Sequence, residues 1–431
     1  MTQSEHLKSD SILIVGAGIF GLGTALELSK RGYTNITVIY RYNVPVPDGS
    51  SVDISRIIRV EYSDEFYAKL AREALAEWNT TFKEHFHQSG FVLMADKNAD
   101  SSYVMKSKAM SENLQDYTGE ITEASSLKSR FDNFPTATEG LSAYFNPRGG
   151  WADAQSAVRF MARECSQRGV NFITGPRGRA TSLRIRPRDR RVVGVNLAEG
   201  EPIFATQTIL ATGAWSRQLL PISHASSASG QSVGFVELTH KEAESLRGMP
   251  VIMNFSTGVF VFPPYPGNNL LKVAHHGFGV ANQVAVEDGR RVVSSPKLAG
   301  NNADAGYLPE DADKHLRDGL RQLVPQFGDR PWWRRRMCWY SDTPEGDFIA
   351  DSHPDLQGLF IATGGSGHAF KFAPVLGRYI ADCFENKASD ELRRRWRLRI
   401  PDGKGEIPKK GDGSRGGQPW RLLLPHEQAK L

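Results

Sequence analysis

The sequence predicts an α/β fold in which a nucleotide-type parallel sheet, built from separated chain segments, is interleaved with a strand-rich region. Three observations carry this. A glycine-rich turn, Gly16-Ala17-Gly18-Ile19-Phe20-Gly21, stands between an apolar run and a helical pattern. Strand-to-helix patterning of the same kind returns near 150–215 and 359–385. Between the last two, residues 225–280 alternate as strands, in SVGFVEL, TGVFVFPP and LLKVAHH. Together these describe a Rossmann-like layer and a separate antiparallel sheet.

Each element follows from its residues. Ile12-Leu13-Ile14-Val15 is the continuous apolar run of a strand buried on both faces. LGTALELSKRG then has helical spacing and stops at Gly32, and Ile36-Thr37-Val38-Ile39 is the second strand. Residues 43–51 are a Pro- and Gly-rich loop. Residues 64–82 form an amphipathic helix with Phe66, Leu70, Leu75 and Trp78 on its apolar side. Residues 86–145 mix short strands with helical, Ser-rich stretches. Near 150 a strand leads into the helix AQSAVRFMARECSQRG. Residues 177–191 carry seven arginines alternating with Leu183 and Ile185, the pattern of a solvated hairpin. Thr208–Thr212 and Leu359–Thr363 are further buried strands ending in glycine turns. A polar helix covers 310–326, and a last helix runs from Pro374 to about Phe384.

Composition narrows the class. The 431 residues are 40% hydrophobic and 23% charged, which excludes a disordered chain or a disulfide miniprotein. No stretch approaches the ~18 apolar residues of a membrane span, so no membrane association is expected. The polar N-terminus shows no secretory signal. Cys165, Cys338 and Cys383 form no paired framework, which suggests a reducing compartment. The net charge of +5 is unevenly placed: residues 387–431 hold twelve Lys and Arg against six Asp and Glu. The basic balance therefore belongs to a C-terminal segment. The arginine-rich hairpin lacks interleaved aromatic platforms, so no nucleic-acid partner is expected. No Cys or His pairs occur at zinc-ligand spacing, and no metal is expected.

In the glycine-rich turn, the first glycine permits the tight bend, the second a close approach of backbone to a pyrophosphate, and the third close helix–strand packing. The helix N-terminus presents free N–H groups to the phosphates. An acidic ribose ligand is missing at the end of the second strand, where Tyr40 and Arg41 stand. Arg41 suits a 2′-phosphate, so NADP is a rival; otherwise Tyr40 packs on the adenosine and other groups hold the ribose.

The later segments are more specific. Cys338-Trp339-Tyr340-Ser341-Asp342-Thr343-Pro344 continues through Asp347-Phe348 to Asp351-Ser352-His353-Pro354, and Gly364-Gly365-Ser366-Gly367-His368-Ala369-Phe370-Lys371 follows. With Ser55-Arg56-Ile57-Ile58-Arg59 and Leu271-Lys272-Val273-Ala274-His275-His276, these resemble the motifs of the family of monomeric sarcosine oxidase, L-pipecolate oxidase, L-saccharopine oxidase and fructosyl-amino-acid oxidase. The order is kept over residues 10–385. The resemblance implies FAD rather than NADP, and a glutathione-reductase-like FAD-binding domain made of 8–85, 150–220 and 330–386. The antiparallel-sheet substrate domain is then 86–149 and 221–329, and 387–431 is a basic tail.

The resemblance also implies roles. Cys338 matches the cysteine joined by a thioether to the flavin 8α-methyl. Arg59 and Lys371 match the pair that grips the substrate carboxylate, a planar fork with a point charge. Arg56 matches a residue over the flavin, and Lys272 the lysine that promotes reaction with oxygen. A lysine in the apolar alternation of LLKVA is costly unless paired or functional. His276 is a candidate substrate contact. Ser55, Gly365, Gly367 and His368 join Gly16 to Gly21, Arg41, Arg56, Cys338 and Lys371 as candidate cofactor contacts. Cys165 and Cys383, in helices, read as core.

Departures bear on specificity. Val261 and Pro263-Pro264 replace an aromatic run of the sarcosine oxidases, and Ala369 replaces a motif glycine. Tyr340 and His368 match the sarcosine, pipecolate and saccharopine side. Trp339 and the V-F-P-P run resemble fungal-type oxidases of larger substrates. The expectation is a monomeric oxidase of a secondary amino acid, saccharopine or another bulky one first, reducing O2 to hydrogen peroxide. Alternatives are a fructosyl-amino-acid oxidase, a flavin amine dehydrogenase, a specialised biosynthetic amine oxidase and, in a different class, a non-catalytic flavin-binding protein. Ala429-Lys430-Leu431 resembles the S-K-L address read by the peroxisomal import receptor, on an accessible tail with Trp396 and Trp420 as docking points.

Overall fold

The computed structural model of the chain describes residues 6–97, 102–114, 120–131, 134–286, 289, 291–400 and 413–431. Its first layer is a six-stranded sheet, in the order Ile349–Ser352, Leu359–Thr363, Gln207–Leu210, Ile12–Val15, Ile36–Tyr40 and Asn171–Thr174. Five strands are parallel, and Ile349–Ser352 runs antiparallel at the edge. All four residues of Ile12–Val15 are buried because both faces are covered. On one face Ile12, Ile14 and Val38 pack with Leu22, Met161 and Ile380 of the helices Ile19–Lys30, Ala154–Gln167 and Ala373–Phe384. On the other, Leu13, Val15 and Ile39 pack with Val192 and Val195 of a three-stranded sheet. The arginine-rich hairpin belongs to that sheet, with Ala180–Arg186 antiparallel to Arg191–Leu197.

The second layer is a ten-stranded sheet. Ser227–Glu237 pairs antiparallel with both Leu270–His275 and Arg334–Asp342. The sheet is not wholly antiparallel, as expected from the alternation. Phe91–Asp96 runs parallel to Val251–Asn254, and Val280–Ala281 parallel to Arg421–Leu422. The helix Glu310–Leu323 is amphipathic rather than simply polar, with Leu316, Leu320 and Leu323 in the core beneath this sheet.

The C-terminal segment is docked in part rather than wholly accessible, while Ala429 and Lys430 stay exposed. After the helix Asp390–Arg395, Trp396 is fully buried and its indole N–H donates to Tyr67. Residues 413–431 return to the body: Ser414 and Arg415 are buried, Arg421–Leu422 adds a strand, and the Leu431 carbonyl accepts from Lys297 Nζ at 2.7 Å. Trp420 is 40% exposed. Composition rich in Gly, Pro and charge masked long-range contacts that no local pattern encodes. No helix among the described residues is long and apolar enough to cross a membrane.

Candidate functional site

A single elongated cavity runs between the two layers, from the glycine-rich turn to the strands Leu270–His275 and Arg334–Asp342. At its first end Gly16 has φ +115°, and a Cβ there would meet the Ala211 carbonyl oxygen at 2.4 Å. Only glycine allows this turn. The helix that follows opens on Gly18 with no side-chain cap and no acidic residue in its first turn, the setting that favours an anion. Gly16, Gly18, Ile19 and Phe20 line the cavity. Ala17 and Gly21 stand behind the lining and serve the helix–strand contact.

Tyr40 and Arg41 line the same end. Arg41 forks onto Asp48 at 2.7 and 2.8 Å and stacks over Trp215 at 4.3 Å. Its charge is already matched, which argues against the 2′-phosphate of NADP.

At the other end, strand parity gathers the chemistry. Lys272 and Ala274 face the cavity while Leu271 and Val273 enter the core. Cys338 and Tyr340 face it from the strand Arg334–Asp342, on the far side of Ser227–Glu237. Arg56, on the short strand Arg56–Ile58, places Nη2 3.7 Å from the Cys338 sulfur. Cys165 and Cys383 are buried elsewhere, and burial pushes both thiols up to about 12. Lys272, 1% exposed, donates to the Ser55 carbonyl at 2.6 Å and to Asp53 at 2.9 Å. Ser55 itself lies behind the cavity wall. Burial draws the Lys272 ammonium down to about 7 against the pull of Asp53, with Arg56 and Arg336 adding to the lowering.

Arg59 and Lys371 meet on Tyr62. Lys371 donates to its hydroxyl at 2.9 Å and to the His368 carbonyl at 2.8 Å, and Arg59 lies over its ring at 5.1 Å. Arg59 also donates to the Glu61 carbonyl. Burial opposes the Arg59 charge, but Tyr103, Tyr62 and Glu61 outweigh it and hold the pKa above the ordinary value. Lys371 sits in the turn Ala369–Phe372 after a run of left-handed residues. In that run Gly367, at φ +76°, is required because a Cβ would strike the Tyr340 ring at 2.3 Å. Gly365 lines the cavity nearby. His368 is held on both nitrogens, by the Tyr62 hydroxyl at 2.9 Å and the Gly346 carbonyl at 2.8 Å. His276 is bracketed by the Tyr340 hydroxyl at 3.3 Å and Ser414 Oγ at 3.0 Å.

Sequence reasoning missed several of these. Asp53 and Arg336, both buried, join the Lys272 cluster. Tyr62 links Arg59 with Lys371. Arg415 forms a buried pair with Asp342 at 2.6 Å. A signal existed for two: Arg336 shares strand parity with Cys338, and Asp53 is a carboxylate set in the apolar run V-D-I.

A cavity that begins at a helix N-terminus, where the Ile19 N–H donates to Ser51 Oγ at 3.1 Å, and ends on a buried thiol, two guanidinium groups and two ammonium groups suits a dinucleotide with its redox ring inward. The fold and the cavity define a dinucleotide-dependent oxidoreductase. The chain belongs to the FAD dependent oxidoreductase family, whose model matches residues 11–383. It is 31% identical to an L-saccharopine oxidase of Schizosaccharomyces pombe over 93% of this chain and 95% of that protein. It is 26% identical to a peroxisomal sarcosine oxidase of Mus musculus, over 85% and 90% of the two chains. The crystal structure of Amadoriase II, a deglycating fructosamine oxidase from Aspergillus fumigatus, superposes with TM-score 0.84 at 29% identity, over 98% and 97%.

Proposed function

We propose that the chain is a monomeric FAD-dependent oxidase that breaks the C–N bond of a secondary amino acid, with saccharopine or another bulky secondary amino acid as substrate. The observation that carries this is the burial of Arg59 and Lys371 against one tyrosine, in the cavity that also holds Lys272 and Cys338. The chemistry that a bound FAD would supply is acceptance of a hydride from the carbon beside the amine nitrogen and return of the electron pair to O2 as hydrogen peroxide, leaving an imine that water would hydrolyse. The Gly16–Phe20 turn and its helix N-terminus hold the pyrophosphate, and Tyr40 and Arg41 border the adenosine end. Arg59 and Lys371 bind the substrate carboxylate and fix the amine's orientation, which is a large part of the rate. His276, locked between Tyr340 and Ser414, contacts the rest of the substrate. Lys272 supplies fixed positive charge where oxygen is reduced. Cys338 would hold the flavin thioether, and the Arg56 guanidinium lies 3.7 Å from its sulfur.

A peroxide-release assay over sarcosine, pipecolate, saccharopine, N-methyl amino acids and fructosyl amino acids tests this reading. Turnover of saccharopine or another bulky secondary amino acid is expected. Turnover of fructosyl amino acids alone would replace it with the deglycating activity that the likeness to Amadoriase II favours, and silence across the panel would retire both. For the attachment, acid-precipitated protein should stay yellow and Cys338→Ala should lose the colour; retained colour in the variant would refute Cys338 as the link.

We place the enzyme in the peroxisome, supported by Ala429-Lys430-Leu431 and by the likeness to a peroxisomal relative. Receptor binding must then break the contact between Lys297 and the Leu431 carbonyl. A protein tagged at its N-terminus should enter peroxisomes, and deleting the three residues should leave it outside.

A further inference from the structure

One oxygen of Asp53 carries three cations. Oδ2 lies 2.6 Å from Arg56 Nη1, 2.9 Å from Lys272 Nζ and 3.0 Å from Arg336 Nη2. Its other oxygen accepts the Ile54 N–H at 2.8 Å, which fixes the carboxylate plane. The partners come from three parts of the fold: the short strand Arg56–Ile58, the strand Leu270–His275 and the strand Arg334–Asp342. We propose that Asp53 and Arg336 are positioning residues for Lys272, holding its ammonium in the cavity wall and setting how much positive charge that wall presents. The proposal rests on the assignment of Lys272 to the reaction with oxygen.

The argument is one of charge balance. One carboxylate faces three cations, so the cluster keeps a positive excess in a buried place. The two guanidinium groups cannot release their protons; the ammonium can. Any change in the balance is therefore expressed through Lys272. Removing the carboxylate leaves three cations repelling one another, and the lysine sheds its proton more readily. Removing Arg336 takes away one repelling neighbour and one competitor for Oδ2, so the lysine holds its proton longer. The two changes have opposite signs, which a merely structural cross-link would not produce. The charged and titratable groups around Lys272 are Asp53 from the loop, Arg56 from its short strand, and Arg336, Cys338 and Tyr340 from one face of the strand Arg334–Asp342. The Ser55 carbonyl and the Phe262 ring, 4.6 Å from Nζ, complete its contacts without charge. The burial terms agree: burial alone would raise the Asp53 carboxyl, but Lys272, then Arg56 and Arg336, hold it far below the usual carboxylate range.

The test follows the Lys272 ammonium by NMR of protein labelled with 15N-lysine, its resonance identified by loss in Lys272→Met. Rapid-mixing measurement of flavin reduction and of reoxidation by O2 accompanies it. Asp53→Asn should lower the titration midpoint by about one pH unit or more, and Arg336→Gln should raise it by about half a unit or more. At neutral pH Asp53→Asn should slow reoxidation about tenfold while reduction stays within about threefold, and Asp53→Glu should restore part of the loss. Midpoints that stay fixed, or move in the same direction in both variants, overturn the proposal. If Asp53→Asn does not fold, Arg336→Gln decides: an unmoved midpoint overturns it. Failure of the underlying assignment looks different, because Lys272→Met would then reoxidise at the wild-type rate.

Discussion

Tyr62 accepts a hydrogen bond from Lys371, shares one with His368 and lies flat beneath Arg59. Two of these contacts, those with Lys371 and Arg59, act on cations that would otherwise search several rotamers, so the ring and hydroxyl together set the spacing of the proposed carboxylate grip. Tyr62→Phe separates the two roles. The ring stays for Arg59, while Lys371 loses one acceptor and His368 a partner. A hydrogen bond to a charged group contributes about 1.5–3 kcal/mol, so KM for a carboxylate substrate should rise by about tenfold or more. The maximal rate should change less, because the variant loosens binding before it touches the reacting carbon. Steady-state kinetics with the substrate identified by the peroxide assay checks this; an unchanged KM would show that Arg59 and Lys371 hold their places without Tyr62. Lys272 was legible in the sequence because an ammonium in an apolar alternation demands a partner. Tyr62 was not, because a tyrosine beside a motif looks like packing until its hydroxyl is seen to face two other chain segments.

At the scale of elements, the segment from Ser414 to Leu422 packs behind one wall of the site and braces its lining residues His275 and His276. Ser414 meets His276, the Gly416 carbonyl accepts from His275 at 3.0 Å, and Arg415 spans from Asp342 to the carbonyls of Gly277 and Ser366. The Arg415–Asp342 pair is almost wholly shielded from water, so each charge depends on the other. Breaking such a pair from one side costs about 3–5 kcal/mol, while replacing both partners by apolar groups is often nearly neutral. Arg415→Met should therefore lower the melting temperature by many degrees, and Arg415→Met with Asp342→Leu should recover a large part of it. A double variant no more stable than the single one would show that Ser229, which also donates to Asp342, and the neighbouring backbone carry the element instead. Four strands of the six-stranded sheet were readable because each is a buried apolar run, whereas the half-exposed Asn171–Thr174 and the edge strand Ile349–Ser352 carry no such signal. The closing segment was not, because its partners are 140 or so residues away in sequence, as at His275 and Gly416, and its composition resembles a solvated tail.

For the whole molecule, the charge cluster around Asp53 joins the two layers. Asp53 and Arg56 come from the glycine-turn half, and Lys272 and Arg336 from strands of the ten-stranded sheet. Global stability should therefore report the ionisation of Lys272. Its pKa falls from an ordinary 10.5 to about 7 in the fold. Between those values the unfolded chain binds a proton that the native protein does not, so stability rises with pH across the window. It is lost as pH falls from 10.5 to about 7, and below that both states carry the proton and the dependence ends. Lys272→Met removes this dependence and leaves the other groups in place. The stability of the wild type relative to the variant should then increase from pH 7 to pH 10, by an amount on the order of a few kcal/mol for the full window. Urea unfolding of both flavin-loaded proteins at several pH values measures the difference, in which the remaining titrations cancel. A flat difference would mean that Asp53 keeps Lys272 charged throughout. A difference falling with pH would mean that the fold favours the charged lysine, and that Asp53 outweighs burial.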